Sequence, residues 1–356
     1  MFISGFLSQV TSLVLLEDGR LATAEERRIK IWNPNSGDQE GEIVGNRTQI
    51  TALASIKEDV LASGTRAGIV KIWHISEGDA VKTITAHTSG VTSLAALDEH
   101  RLASAAEDGW IKVWDIESGR ELIRFSENFG HVISLVRIPD GSLCSVCLND
   151  KFIRIWNTDS GHLVKTIDAG EIVYSVAAFK DNALVAGLDK GKIKVWKKHR
   201  ESSEKLYTAE ADQIIWLYVE GPIRSILVLS NGFVATGSSK GKVRVYNLAK
   251  PERSIRVFLG HINSVTYLLP LKDQTLFISS GSDDGKINIW NVNTDKIVRT
   301  FGTSDLAAEV PHSFTEFIYK EQKRIETTLN TNVKTFEVEL PKLETRTAEP
   351  SPSNSF

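Results

Sequence analysis

Residues 91–115, VTSLAALDEHRLASAAEDGWIKVWD, decide how this chain folds. Ile111-Lys-Val-Trp114 alternates apolar and polar side chains and is β-branched, the pattern of a half-buried strand. Val91-Thr-Ser-Leu94 opens an earlier strand, and Leu102-Ala-Ser-Ala105 is a short run between the two. Glu107-Asp-Gly-Trp110 makes the turn before Ile111, and Glu121-Leu-Ile-Arg-Phe125 follows another turn. The stretch and its continuation therefore predict four short antiparallel strands.

Both markers recur along the chain. The first returns as Val10-Thr-Ser-Leu13, Ile50-Thr-Ala-Leu53, Val132-Ile-Ser-Leu135, Val173-Tyr-Ser-Val176, Ile223-Arg-Ser-Ile226 and Val265-Thr-Tyr-Leu268, with a weaker Phe314-Thr-Glu-Phe317. Successive starts lie 40, 41, 41, 41, 50, 42 and 49 residues apart. The second returns in step, from Ile29-Lys-Ile-Trp32 to Ile287-Asn-Ile-Trp290, with a degenerate Val333-Lys-Thr-Phe336. Four strands per period of about 40 residues describe the blade of a β-propeller.

On these residues the chain resembles the WD40-repeat β-propeller family across residues 1–340, although Trp-Asp itself occurs once, at Trp114-Asp115. The resemblance implies an all-β ring and, in some blades, a buried His–Ser–Asp–Trp tetrad. Alignment assigns His87, Ser104, Asp108 and Trp114 to the third blade, and His261, Ser280, Asp284 and Trp290 to the seventh. The Asp position holds Ala67, Lys190 and Lys240 in the second, fifth and sixth blades, which are expected to be softer sectors. Counting the degenerate copy predicts eight blades, the last completed by the N-terminal strand at residues 2–4. Seven blades with a C-terminal extension is the alternative. The tail, residues 341–356, is rich in Pro, Ser and charge and is expected to be disordered.

Of 356 residues, 42 are Lys or Arg and 45 Asp or Glu, giving a net charge of −3 and no cationic excess for nucleic acid or an anionic membrane. No apolar run is long enough to span a bilayer, and Met1–Leu7 lacks a signal-peptide pattern. Cys144 and Cys147 have C-x-x-C spacing, but on a strand i and i+3 face opposite ways, so buried structural thiols are expected. A cytoplasmic or nuclear setting follows.

No catalytic or metal motif appears: no H-x-x-x-H, no nucleophile elbow, no phosphate loop. No cofactor is expected. A propeller does not dictate its function, and the leading expectation is a non-enzymatic scaffold that docks partner proteins or peptides within a hetero-complex. In the resembling family the usual docking surface is the face bearing the loops before the first strand and between the second and third. On that face the second residue of the first marker is Thr or Ile except at Tyr174 and Arg224, side chains that interface hot spots favour. The plainer reading is that Tyr174 fills space between blades and Arg224 pairs with a neighbouring acid. Trp110, in a turn that ordinarily takes a polar residue, is a third candidate, or leans on a neighbouring blade. Trp216 lies in the one large insertion, within Ile214-Ile-Trp-Leu-Tyr-Val219, which is either an outer strand or a flap on the docking face.

Glu25, Glu107, Asp189 and Asp283 are assigned to equivalent second-to-third-strand turns with Arg66, Lys190 and Lys240, a rim of mixed sign. A ubiquitin-ligase substrate receptor is a narrower version of the scaffold reading, although Trp114-Asp115 is followed by Ile116-Glu117 rather than the Trp-Asp-x-Arg of some ligase-docking propellers. An enzyme or small-ligand binder using the central channel is the rival from another class.

Overall fold

The structure, a computed structural model, describes residues 9–302 except 126–129, 180, 202–203, 208–210, 217–220, 230–231, 249–255, 272–275, 282–283 and 295. The N-terminal closing strand, Asp283, the eighth marker pair and the tail lie outside the described residues. The chain divides into units 1–307 and 308–356, and every described residue belongs to the first.

Blade 3 shows how the repeat folds. Its strands are Val91–Ala96, Arg101–Ala106, Ile111–Asp115 and Glu121–Phe125, each antiparallel to the next in chain order. Seven such four-stranded sheets are present, spanning 10–44, 50–85, 91–125, 132–168, 173–216, 223–259 and 265–302. The described residues contain no α-helix, only a 3-10 turn at Asp189–Gly191.

Blades pack face to face, so a second strand is buried on both sides, as Leu143–Cys147 is throughout. One layer joins Ala103, Ile111, Val113 and Phe125 of blade 3 to Val132 and Trp156 of blade 4, with the Phe125 and Trp156 rings stacked at 5.3 Å. Cys147 belongs to this layer, whereas Cys144 enters the next one, beside Val173 and Leu184 of blade 5. The two thiols thus sit on opposite faces of one strand, and burial pushes Cys144 up to about 12.

The eight-blade expectation is corrected to seven. Blade 7 takes its fourth strand, Lys296–Gly302, from contiguous sequence and then packs straight onto blade 1. Ile278, Ile287 and Ile289 share a core with Val10, Leu13 and Trp32, and the Tyr267 hydroxyl donates to the Thr11 carbonyl at 2.6 Å. Ring size follows from how these faces meet, and the contact leaves no seam for another blade.

A hydroxyl on the second strand receives the third-strand indole. Trp32 donates to Thr23, and Trp73, Trp114, Trp156 and Trp290 donate to Ser63, Ser104, Ser145 and Ser279, at 2.6–2.9 Å. Blade 5 departs from the rule. Ala186 holds the hydroxyl's place opposite Lys194, and the buried Trp196 Nε1 has no hydrogen-bond partner among the described residues. Ala186→Ser should therefore stabilise the fold by about 1 kcal/mol, read as a higher denaturant midpoint at unchanged slope. A lower midpoint would show that the site has no room for the hydroxyl.

Candidate docking face

Two blades carry a four-residue network at the top of the sheet, where the turns between second and third strands lie. In blade 3 the Trp114 indole donates to Ser104 Oγ at 2.8 Å, and Ser104 Oγ lies 2.7 Å from His87 Nε2. His87 Nδ1 sits 3.2 Å from both Asp108 oxygens. Burial holds His87 below its ordinary range despite the opposing pull of Asp108. Burial alone would raise the Asp108 carboxyl, but hydrogen bonds from the Trp110 and Thr88 backbone N–H groups, with His87 and the Thr88 hydroxyl, together lower it.

In blade 7 the serine assignment is corrected from Ser280 to Ser279. Ser279 Oγ meets His261 Nε2 at 2.7 Å and accepts the Trp290 indole at 2.6 Å, while His261 Nδ1 meets Asp284 at 2.8 Å. Ser279 lies opposite Asn288, two residues before Trp290, as Ser104 lies opposite Lys112, two before Trp114. A slip of one residue turns a strand side chain to the other face, and there Ser280 Oγ is buried without a partner among the described residues. Third-strand lysines also tie incoming loops, in blade 3 as well as in two blades without the network. Lys71, Lys112 and Lys194 donate to the Gly45, Ala86 and Ala169 carbonyls at 2.6–2.8 Å. Glu25 is not a rim residue either: it is 3% exposed and meets Lys30 Nζ at 2.9 Å, and burial raises its carboxyl.

The second residue of the first marker is a β-bulge in all seven blades, skipped where the first and second strands pair. Such an extra residue re-aims its side chain. At Thr11, Thr51 and Thr92 the hydroxyl reaches the first-strand carbonyl of the next blade, at Ile50, Val91 and Val132. In blades 5 and 6 the following serine makes that bond instead: Ser175 Oγ donates to the Ile223 carbonyl at 3.0 Å and Ser225 Oγ to the Val265 carbonyl at 2.9 Å. The bulge residues Tyr174 and Arg224 are thereby released from clasping the ring. Their own contact is mutual, with the exposed Arg224 guanidinium 4.8 Å from the centre of the half-buried Tyr174 ring. Across the mouth, Thr11, Thr51, Gln49, Thr266 and Tyr267 line a hollow of about 270 Å³.

Trp110 does not join this pair. It is 38% exposed in blade 3, and Arg124 of the same blade's fourth strand covers its ring at 5.4 Å. Trp216 ends the fourth strand of blade 5, Gln213–Trp216, opposite Lys192. The inserted residues precede that strand and include the hairpin Lys198–Glu201 with Glu204–Tyr207, so they fall between third and fourth strands, away from the docking face.

Lys242, Ile262 and Lys286 also stand at this end of blades 6 and 7, outside the two repeat markers. Ile262 follows Gly260-His261 where His87 is followed by Thr88, and it is 70% exposed. That change from a polar to an apolar residue is legible in the sequence. Among the described residues no cluster of three or more His, Cys, Asp or Glu is placed to hold a metal, and no helix is long and apolar enough to cross a membrane.

Seven four-stranded sheets closed into a ring define a β-propeller, and comparison with known proteins gives its kind. The nucleolar protein 10-like N-terminal domain family matches residues 42–196, and the WD domain, G-beta repeat, matches residues 252–291. The chain is a β-propeller similar to the WD40-repeat propellers, with a WD repeat matched in its last blades. The E3 ubiquitin-protein ligase COP1 of Pisum sativum is 31% identical over 118 residues, 33% of this chain and 16% of that protein. WD repeat-containing protein 55 of Mus musculus is 24% identical over 199 residues, covering 46% of this chain and 51% of that protein. The chain thus spans about a sixth of the length of the ligases it matches. The computationally designed Ika8 protein shares the fold, with a TM-score of 0.64 and 24% identity over 83% of this chain and 88% of that one.

Proposed function

We propose that this protein is a non-enzymatic interaction scaffold that docks partner proteins or peptides at the channel mouth of blades 5 and 6, within a multiprotein complex. The carrying observation is the pair Tyr174–Arg224. Both stand on bulges used elsewhere as hydroxyl clasps, and serines take over the clasp so that an aromatic and a cation face outward. Rigid frames with side chains released in this way suit binding, because ordering costs little when the partner arrives. The WD40 fold supports the scaffold reading, and the nucleolar protein 10-like match supports a nuclear setting.

Quantitative affinity capture from native lysate tests the face. A Tyr174→Ala, Arg224→Glu variant that melts like wild type is expected to lose a discrete set of captured proteins; Trp110→Ala serves as a comparison outside the pair. An unchanged set would exclude the pair from the site. The similarity to COP1 favours a second reading, substrate reception for a ubiquitin ligase. Ligase subunits retained by the variant while other proteins are lost would support it.

A further inference from the structure

Four cations and one exposed aliphatic side chain form a continuous ridge across the top of blades 6 and 7. The Ser239 N–H donates to the Pro222 carbonyl at 3.1 Å, joining the blade 6 turn to the loop that delivers Arg224. That turn continues as Lys240-Gly-Lys242. Gly241, at φ +75°, lies so close to the next loop that an added Cβ would strike the His261 carbonyl and come within 3.0 Å of that of Asn263. Asp284 closes the chain of contacts. One of its oxygens accepts from His261 Nδ1 at 2.8 Å and from Ile262 N–H at 3.2 Å, and the other from Lys286 N–H at 2.9 Å. Arg224, Lys240, Lys242, Ile262 and Lys286 are thus stitched together through their backbones.

The charges on this ridge are not neutralised by the described residues. Asp284 is buried and fully used by those three donors. Lys240, Lys242 and Lys286 have no ion-pair partner among the described residues, and Arg224 has only the Tyr174 ring. Blades 3 and 4 are different: Arg124 pairs with Glu121, Arg154 with Asp150 and Lys151 with Asp168, at 2.7–2.8 Å. Ile262, amid the cations, is the most exposed large apolar side chain described.

We infer that the ridge binds an acidic peptide segment of a partner protein in which an aliphatic side chain stands among carboxylates. The aliphatic group covers Ile262, and the carboxylates meet Lys240, Lys242, Lys286 and Arg224. Charge complementarity sets the class, and the central apolar contact sets the register. A nucleic acid is the poorer match. It needs a long cationic track, whereas the turns on either side of this ridge are of mixed sign, Asp189 beside Lys190 in blade 5 and Glu26 beside Arg27 in blade 1. The inference rests on the docking-face reading and gives its partner a chemistry.

The test uses the full chain and a labelled synthetic peptide of aspartates and glutamates around one leucine. Wild type is expected to bind it, more weakly as salt rises. Lys240→Glu with Lys242→Glu should weaken binding about ten-fold, and Ile262→Ser about three-fold. No binding by wild type, or equal binding by the double variant, overturns the inference. So does tighter binding of a single-stranded oligonucleotide of equal charge. Lysate capture separates this failure from that of the face itself. Partners lost with Tyr174→Ala but kept by the double variant leave the face standing and overturn the acidic class; partners kept by both overturn the face.

Discussion

Ser104→Ala is expected to cost about 3 kcal/mol of folding free energy, against about 1 kcal/mol for Ser145→Ala one blade on. Both serines accept an indole N–H at 2.8 Å, but only Ser104 also meets a histidine. His87 is buried and held toward its neutral form, and its Nδ1–H faces the Asp108 carboxylate, which only accepts. Nε2 is then a bare acceptor, so the Ser104 hydroxyl must donate to it while accepting from Trp114. The hydrogen-bond chain therefore has one direction, Trp114 to Ser104 to His87 to Asp108. Alanine leaves an indole N–H and an imidazole nitrogen without partners in a dry layer, and each such loss costs about 1–3 kcal/mol. Ser104→Thr should recover part of the loss, because Thr23 does the same work for Trp32. Denaturant unfolding of the three variants at one pH checks this. Equal losses for Ser104→Ala and Ser145→Ala would mean that the histidine end contributes nothing.

How far the sequence discloses this molecule depends on which forces act locally. The blade is local: period-two alternation and turn residues at regular spacing are properties of neighbouring residues, and Val91–Phe125 alone displays them. The opposed cysteines follow from the same period. Ring size is not local, because it depends on how the face of blade 7 meets that of blade 1, and a degenerate marker at 314–336 counts equally in any tally of repeats. The blade 7 serine shows the limit of alignment, since Phe277-Ile-Ser-Ser280 offers two adjacent hydroxyls and only pairing with Asn288 chooses between them. Tyr174 and Arg224 were legible as departures from a threonine column, but their release was not. It requires knowing that the column is a bulge, and that a neighbouring serine has taken over its bond. Glu25 looked like a turn residue because its burial depends on Lys30 folding back across the third strand.

The release of Tyr174 and Arg224 has a structural condition, and Gly237→Val should expose it with a loss of about 3–5 kcal/mol. In blades 5 and 6 the clasping serines lie directly opposite glycines, Ser175 against Gly187 and Ser225 against Gly237. In blades 1 and 3, where the bulged threonine clasps, Ser12 and Ser93 lie opposite Ala24 and Ala105 and accept from Leu53 and Leu135 N–H groups instead. A Cβ at Gly237 would lie 2.6 Å from Val265 Cγ1 and 2.7 Å from Val265 Cβ, and would also press on Ser225 Oγ. The bare backbone therefore gives Ser225 room to reach the Val265 carbonyl while Val265 stays in the inter-blade core. Valine must displace one or both, in a layer packed too densely to absorb added carbons. Gly237→Ala should cost about 1–3 kcal/mol by the same clash. Gly78→Ala provides the control: it has a positive φ of 72° but open space around it, so it bears only the conformational cost of about 1 kcal/mol. If Gly237→Val unfolds at the same denaturant concentration as wild type, the glycine is not what lets the serine clasp form. If it destabilises as expected and Gly237→Ala also weakens capture of the partners lost with Arg224→Glu, packing between blades 6 and 7 and presentation of the docking pair are one arrangement.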